Sequence, residues 1–397
     1  FKQKTAYEIG VRLVGSEMCI RDREESVREL KYQVSFATPA FLGNAEQSAQ
    51  WRTPPFKAQL RQWWRVAFAA SHNFHPDVAA AMRRGEGRLF GHAWLEDDRN
   101  NKGEKISARR SEVRLRLDHW ESGKLPRAKW PASETVNHPE VPARIAADLY
   151  LGYGPVTLPR GEKSPTLKAN AALQAGEQAT FSVAFPHEHS TLIEQALYLM
   201  DRFGTVGGRS RNGWGSFRLL PLEDTPALMG KLPLRPWQSA LELDWPHTLG
   251  SDSKGALIWQ TPPFDDWKTV MKQLAVIKIH LRTQKPDFEF MLDLLAGDKA
   301  TRNGINHGKP QARHWLSYPV TNHSVAAWGG NARLPNSLRF KVQPGPNDPK
   351  KLVGVIFHVP CVPPVGFGPD PRVIENVWRQ VHAYLDAPAQ ELTRIAS

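Results

Sequence analysis

Cysteine is almost missing from this chain. Only Cys19 and Cys361 occur in 397 residues, and Cys19 falls in a terminal segment set aside below, so neither a disulfide framework nor a cysteine-built zinc site can be assembled. A reducing, cytoplasmic setting is therefore expected. No run approaches the roughly 18 apolar residues that cross a bilayer, and no secretory signal is visible, so no membrane partner is expected. HExxH, GxSxG and kinase-type motifs are absent, and the glycine-rich stretch near residue 210 lacks the Gly-Lys-Ser/Thr of a Walker loop. His187 and His189 stand two apart without further ligands at metal spacing, so neither metal nor cofactor is expected. Acidic residues are in deficit, 40 against 52 Lys and Arg, and the formal charge of +12 favours a polyanionic partner. The 32 prolines argue for long loops and against a solenoid or coiled coil.

Residues 1–23, FKQKTAYEIGVRLVGSEMCIRDR, read as a non-native segment resembling translated sequencing-adapter sequence, with the native reading starting near Glu24. Their five basic and three acidic residues take +2 of the charge, leaving the rest at +10. A chain of this length suggests two domains.

The most informative stretch runs from Thr38 to Phe68, TPAFLGNAEQSAQWRTPPFKAQLRQWWRVAF. Thr53 as N-cap with Pro54 behind it predicts a helix over 54–70. At roughly 100° per residue, Phe56, Leu60, Trp63, Trp64 and Ala67 share one arc, and Lys57, Arg61 and Arg65 form a ridge at its edge. A row of like charges invites an anion, and a phosphate backbone is one; a solvated basic edge is the plainer alternative. Arg52 and Trp63 join Lys57, Arg61 and Arg65 as candidate RNA contacts.

Glu29–Ala37 alternates as a strand, a second helix is expected over 76–84, and Ser111–Leu117 reads as a strand with Arg114 and Arg116 on one face. Residues 121–142 look irregular. A strand at Phe181–Phe185 leads into a helix with Thr191 and Glu194 at capping-box spacing and Gly204 as its stop. The loop that follows, GTVGGRSRNGWGSF, sets Gly207, Gly208, Arg209, Ser210, Arg211, Asn212 and Trp214 together. Glycines let successive amides cup a phosphate while arginines neutralise it; a braced hairpin turn is the alternative. Trp214 either stacks a base or plugs the core. Beyond a connector at 221–263 with a strand at Leu241–Trp245, a helix capped by Asp265 or Asp266 carries Val270, Leu274, Ile277 and Leu281 at helical period. Residues 297–309 read as a polar loop, Asn336–Gln343 and Lys351–Val359 as strands, and a last helix starts at Asp370-Pro371.

The words TPAFLG, WRTPPFKAQLRQWWR, RLFG, YLGYGPV and GTVGGRSRNGWGSFRL, in this order, resemble the CRISPR-associated RAMP superfamily, specifically the family of first subunits of Cmr (type III-B) effector modules. The resemblance covers about Tyr32 to Leu219 well and the remainder loosely. It implies an α+β fold of two tandem ferredoxin-like (RRM-like RAMP) domains with long loop insertions, at 24–220 and 264–397. It also implies a non-catalytic subunit that contacts guide RNA, target RNA and other type III effector subunits.

Two other readings stay open: a RAMP endoribonuclease that uses His72, His75 or His92 as a base, or Asp97 or Asp98 with a metal, and a purely structural cap. Because the first 23 residues lack an amphipathic pattern, the full-length and trimmed proteins are expected to show coincident thermal melts. A loss of several degrees on trimming would mark the segment as a genuine element.

Overall fold

The computed structural model describes residues 27–46, 48–93, 95–100, 102–290 and 304–395. The segment 1–23 and the first part of the polar loop expected at 297–309 lie outside them.

The first half of the chain contains β1 (Val27–Phe36), α1 (Thr53–Ser71), α2 (Val78–Phe90), β2 (Arg114–Leu117), β3 (Thr135–His138), β4 (Val141–Ala146), α3 (Ala147–Gly152), β5 (Gln178–Pro186), α4 (Ser190–Phe203) and β6 (Phe217–Pro221). A side-chain period of two decides β1: Leu30, Tyr32, Val34 and Phe36 are buried, and Lys31, Gln33 and Ser35 between them are half-exposed. Phe181, Val183 and Phe185 repeat the pattern on β5, which pairs antiparallel with β1. With β6 and β2 they form a sheet in the order β6-β1-β5-β2. Its apolar face lies under the buried sides of α1 and α4, through Phe56, Leu60 and Trp63 on the one and Ile193, Ala196 and Met200 on the other.

The second half contains β7 (Ile258–Gln260), α5 (Trp267–Arg282), β8 (Leu338–Pro344), β9 (Leu352–His358), α6 (Pro371–Asp386) and β10 (Thr393–Arg394), with the sheet order β8-β9-β7-β10. Each sheet is thus built strand–helix–strand–strand–helix–strand, and each places its fourth, first, third and second strands side by side, all neighbours antiparallel. Ile258, Val353, Val355 and Phe357 on one face of the second sheet join the core of α1 and α4. Phe340, Val342 and Ile356 on the other face pack with α5 and α6. The molecule is therefore layered as sheet, helices, sheet, helices, and the second sheet is covered on both sides.

Several local expectations change. Arg52, not Thr53, is the N-cap of α1, with no side-chain cap bond. α2 runs on to Phe90 because Leu89 and Phe90 are themselves core residues. The stretch at 121–142 is not irregular throughout, since β3 and β4 form a hairpin within and beyond it. The capping box of α4 does not form; Glu194 instead accepts from Arg28 at 2.5 Å. A 3₁₀ turn at Ser239–Glu242 stands where a strand was expected, and β7 lies inside the expected connector. Asp266 does cap α5, accepting from the Thr269 amide, and Asp370 caps α6. No helix among the described residues is long and apolar enough to cross a membrane.

His358 and His382 hydrogen-bond each other at 3.0 Å under Trp237, Trp259 and Trp378. Burial pushes His382 down to about 3 and holds His358 well below the usual imidazole range. The unfolded chain accepts these protons near pH 6.5, so the stability they confer is complete above that value and is lost as pH falls below it. Denaturant titrations at pH 8 and pH 5 are expected to show about 2 kcal/mol less stability at pH 5 for His382 alone. That difference should shrink in His382→Gln.

Candidate nucleic-acid interface

The basic ridge of α1 is partly exposed, with the Arg61 and Arg65 side chains at 39% and 42%, but its charge is already engaged within the protein. Arg61 and Arg65 both donate to Glu86 of α2 at 2.8 Å, and Glu86 is buried. Lys57 donates to the Phe90 carbonyl and to Ser111 Oγ, and burial lowers its pKa. One sequestered carboxylate bridging two guanidinium groups relieves the repulsion that an RNA backbone was expected to relieve. Trp63 is fully buried between the layers, its ring 5.7 Å from Phe203 and 6.4 Å from Phe357, and so cannot stack on a base. Arg52 donates to the Gly43 carbonyl at 2.5 Å and braces the loop before the helix.

The acid/base candidates are engaged locally. Asp98 is fully buried between Arg109 at 2.9 Å, His92 at 2.8 Å and Arg88 at 3.3 Å, and these donors hold its carboxyl far below the usual range. The other nitrogen of His92 accepts from the Leu95 amide. Asp97 pairs with Arg84. His72 lies against the Phe68 carbonyl after α1, and His75 accepts from the Asp77 amide. His187 and His189 occupy the 3₁₀ turn before α4.

The glycine loop, by contrast, gathers three separate parts of the chain. It joins α4 to β6 and is held to Thr38–Gly43 by Thr38 Oγ1 donating to Gly213 O at 2.8 Å, Gly215 N to Pro39 O at 2.9 Å and Gly208 N to Phe41 O at 3.0 Å. It is held to Tyr150–Pro155 by Asn212 donating to Leu151 O and Arg209 Nε to Tyr153 O. Two glycines are needed for close approach: a Cβ on Gly215 would stand 1.9 Å from Val206 O, and one on Gly207 2.7 Å from Phe41 O, both at positive φ. Trp214 is fully buried, packed with Phe41, Trp130 and Trp267 at 5.1–5.8 Å, which settles it as a packing plug. Since Gly208, Asn212, Gly213 and Gly215 donate to carbonyls of the protein, the expected cup of amides is reduced.

What remains on the surface is charge. Gly207, Arg209 and Arg211 are exposed and Ser210 is half-exposed. Behind them Lys278 and Arg282 stand one turn apart on α5; Lys278 donates to Asn212 Oδ1 at 2.7 Å, and Arg282 to Ser317 Oγ at 2.7 Å. Among the described residues none of Arg209, Arg211, Lys278 and Arg282 pairs with a carboxylate. Burial, then Arg282 and Arg209, push Lys278 down to about 7. Tyr153, 67% exposed, presents an aromatic ring on the same loop cluster. A concentration of cations without counter-charge, beside an open aromatic, suits a strand of phosphates and stackable bases. Lys278 and Arg282 escaped the sequence reading, since α5 was read for its apolar period and the i,i+4 pair of cations was the available signal; Tyr153 stood in the YLGYGPV word without a role of its own.

No family model matches the sequence, and no curated protein does either. A solved structure, Cmr1 from Pyrococcus furiosus in its apo form, is similar over 92% of this chain and 98% of its own, at 15% identity and a TM-score of 0.40. A likeness so distant says nothing of individual residues or of activity.

The Glu86 clamp has a measurable consequence. Arg61→Glu with Arg65→Glu surrounds a buried carboxylate with like charge and is expected to lower the unfolding free energy by about 2 kcal/mol, discounted for the partial exposure of both arginines. Adding Glu86→Lys should recover part of the loss. Unchanged denaturation of the double variant would mean that the clamp contributes nothing.

Proposed function

We propose that this chain is a non-catalytic RNA-binding subunit of a type III CRISPR ribonucleoprotein effector, contacting guide or target RNA through the surface around the glycine loop. The observation that carries this is convergence. Three of the words that carry the resemblance, at 38–43, 150–155 and 204–217, meet at one surface whose exposed arginines lack carboxylate partners among the described residues. Arg209 braces the loop with its Nε on the Tyr153 carbonyl, but that contact leaves the positive charge without an anion, which a phosphate backbone supplies. The shared order of the two sheets is that of ferredoxin-like units, which supports the two-domain reading. Other effector subunits are the natural neighbours of such a chain, in the cytoplasm.

Against a processing nuclease stands the engagement of Asp98 and His92 with each other, and the placement of His72 and His75 away from any second acid or base partner among the described residues beyond their own turn. A structural cap that touches only protein remains the rival, and the loop arginines separate the two. Arg209→Ala with Arg211→Ala is expected to weaken binding of a single-stranded RNA at least tenfold, about 1.4 kcal/mol, in filter-binding or anisotropy titrations at two salt concentrations. The melting temperature should move little. Unaltered affinity of the folded double variant would remove the loop from the interface and favour the cap. Labelled guide-repeat RNA incubated with the protein, with and without Mg²⁺, is expected to stay intact; specific cleavage that is lost on changing His72, His75 or His92 would instead establish a nuclease.

A further inference from the structure

Among the described residues, one strand cation is buried with an unpartnered donor. Arg339 sits on β8 with only 6% of its surface exposed, and its Nε is buried without a hydrogen-bond partner among the described residues. No carboxylate pairs with it there, and no aromatic ring lies under it. Its neighbour Lys341, two residues on and on the same face, has by contrast found two backbone carbonyls. The titratable groups that Arg339 faces do not offset its charge: Arg211 is a second cation, His358 is kept neutral by burial, and burial pushes the Cys361 thiol up to about 11, so it stays protonated. Arg339 itself is lowered to about 9, by burial first and by Arg211 second, and remains charged at neutral pH. Withdrawing a guanidinium from water without a counter-charge is strongly unfavourable. The loop residue above it is not there by chance, since the Arg211 carbonyl accepts from the amide of Phe340, the residue after Arg339, at 2.9 Å. The Arg211 guanidinium is close enough to depress the Arg339 pKa, and two neighbouring guanidinium groups are what one tetrahedral oxyanion can satisfy, its oxygens accepting from both.

We propose that Arg339 and Arg211 together form a seat for one phosphate group, which on the RNA reading above, on which this part rests, is a phosphodiester of the bound strand. The seat extends the RNA surface from the loop of the first half onto the second sheet. It also gives Arg339 its counter-charge.

The test uses the full chain, a single-stranded uridine 15-mer and inorganic phosphate. Arg339→Met is expected to weaken RNA binding at least tenfold and to reduce the slope of log affinity against log salt by about 0.7, the contribution of one phosphate contact on a single strand. Its melting temperature should hold or rise, since a buried unpaired charge has gone. Inorganic phosphate at constant ionic strength should raise the melting temperature of the wild type by mass action and have no such effect on Arg339→Met or on Arg211→Gln. Should Arg339→Met fail to fold, Arg211→Gln at the exposed rim decides by the same two readouts. If the wild type binds no RNA yet phosphate stabilises it and neither variant, the seat stands and the RNA reading falls. If folded Arg339→Met keeps the wild-type affinity, salt slope and response to phosphate, the seat is overturned.

Discussion

The junction between the two halves turns on the amine of Lys341. A helix ends with carbonyls that have no intrahelical partner and a concentration of negative partial charge. At the end of α4 the Lys341 Nζ, reaching across from β8, donates to Asp201 O and to Gly204 O, with the Phe217 ring 5.0 Å away. Burial pushes this amine down to about 7. The arrangement tolerates either protonation state, because a neutral amine still carries two N–H donors and two carbonyls await them. Gly204 is also where the glycine loop begins, so the same contact fixes the loop's origin. Further along, Phe340 N donates to Arg211 O and Val342 N to Ser216 Oγ, both at 2.9 Å. The outer strand of the second sheet thereby spends its free edge amides on the loop of the first half, which spares it the cost of a buried, unpaired edge.

With the loop templated in this way, the layers account for the tryptophans that cluster in the sequence. Trp63 lies where α1 meets both α4 and the second sheet, filling a gap that neither half could fill alone. Trp214 does the equivalent under the loop, among Phe41, Trp130 and Trp267. Both are core residues, and the surface they support carries its chemistry in arginine, lysine and an exposed tyrosine.

What the sequence made legible was whatever depended on local period. The apolar arc of α1, the alternation of β1 and the capped starts of α5 and α6 follow from residues within a few positions of one another, and the structure has them. The fate of Arg61 and Arg65 was not legible, because Glu86 lies more than twenty residues away and only the docking of α2 brings it close. Nor was β7, three residues inside a proline-rich stretch. The alternation of Leu338, Arg339, Phe340, Lys341 and Val342 describes a strand with one wet face; nothing local announces that α1 and α4 cover that face as well. The glycine loop could be found by composition, but its companions Lys278 and Arg282 could not be separated from an ordinary helix surface until α5 was placed behind it.

The bond from Phe340 N to Arg211 O carries a last implication, one of reciprocity. Arg211 belongs to the first half by sequence and to the second sheet by hydrogen bonding, so any anion that draws on its side chain acts on a residue that also fastens the two halves together. Binding free energies are linked both ways. A ligand that prefers the fastened arrangement must tighten the joint, and whatever loosens the joint, including an amino-acid change far from the loop, must weaken the ligand by the same factor. A ligand held through the Arg211 side chain would form one thermodynamic unit with the joint, and the seam between the halves would then be a place from which its affinity is set without touching a single contact residue.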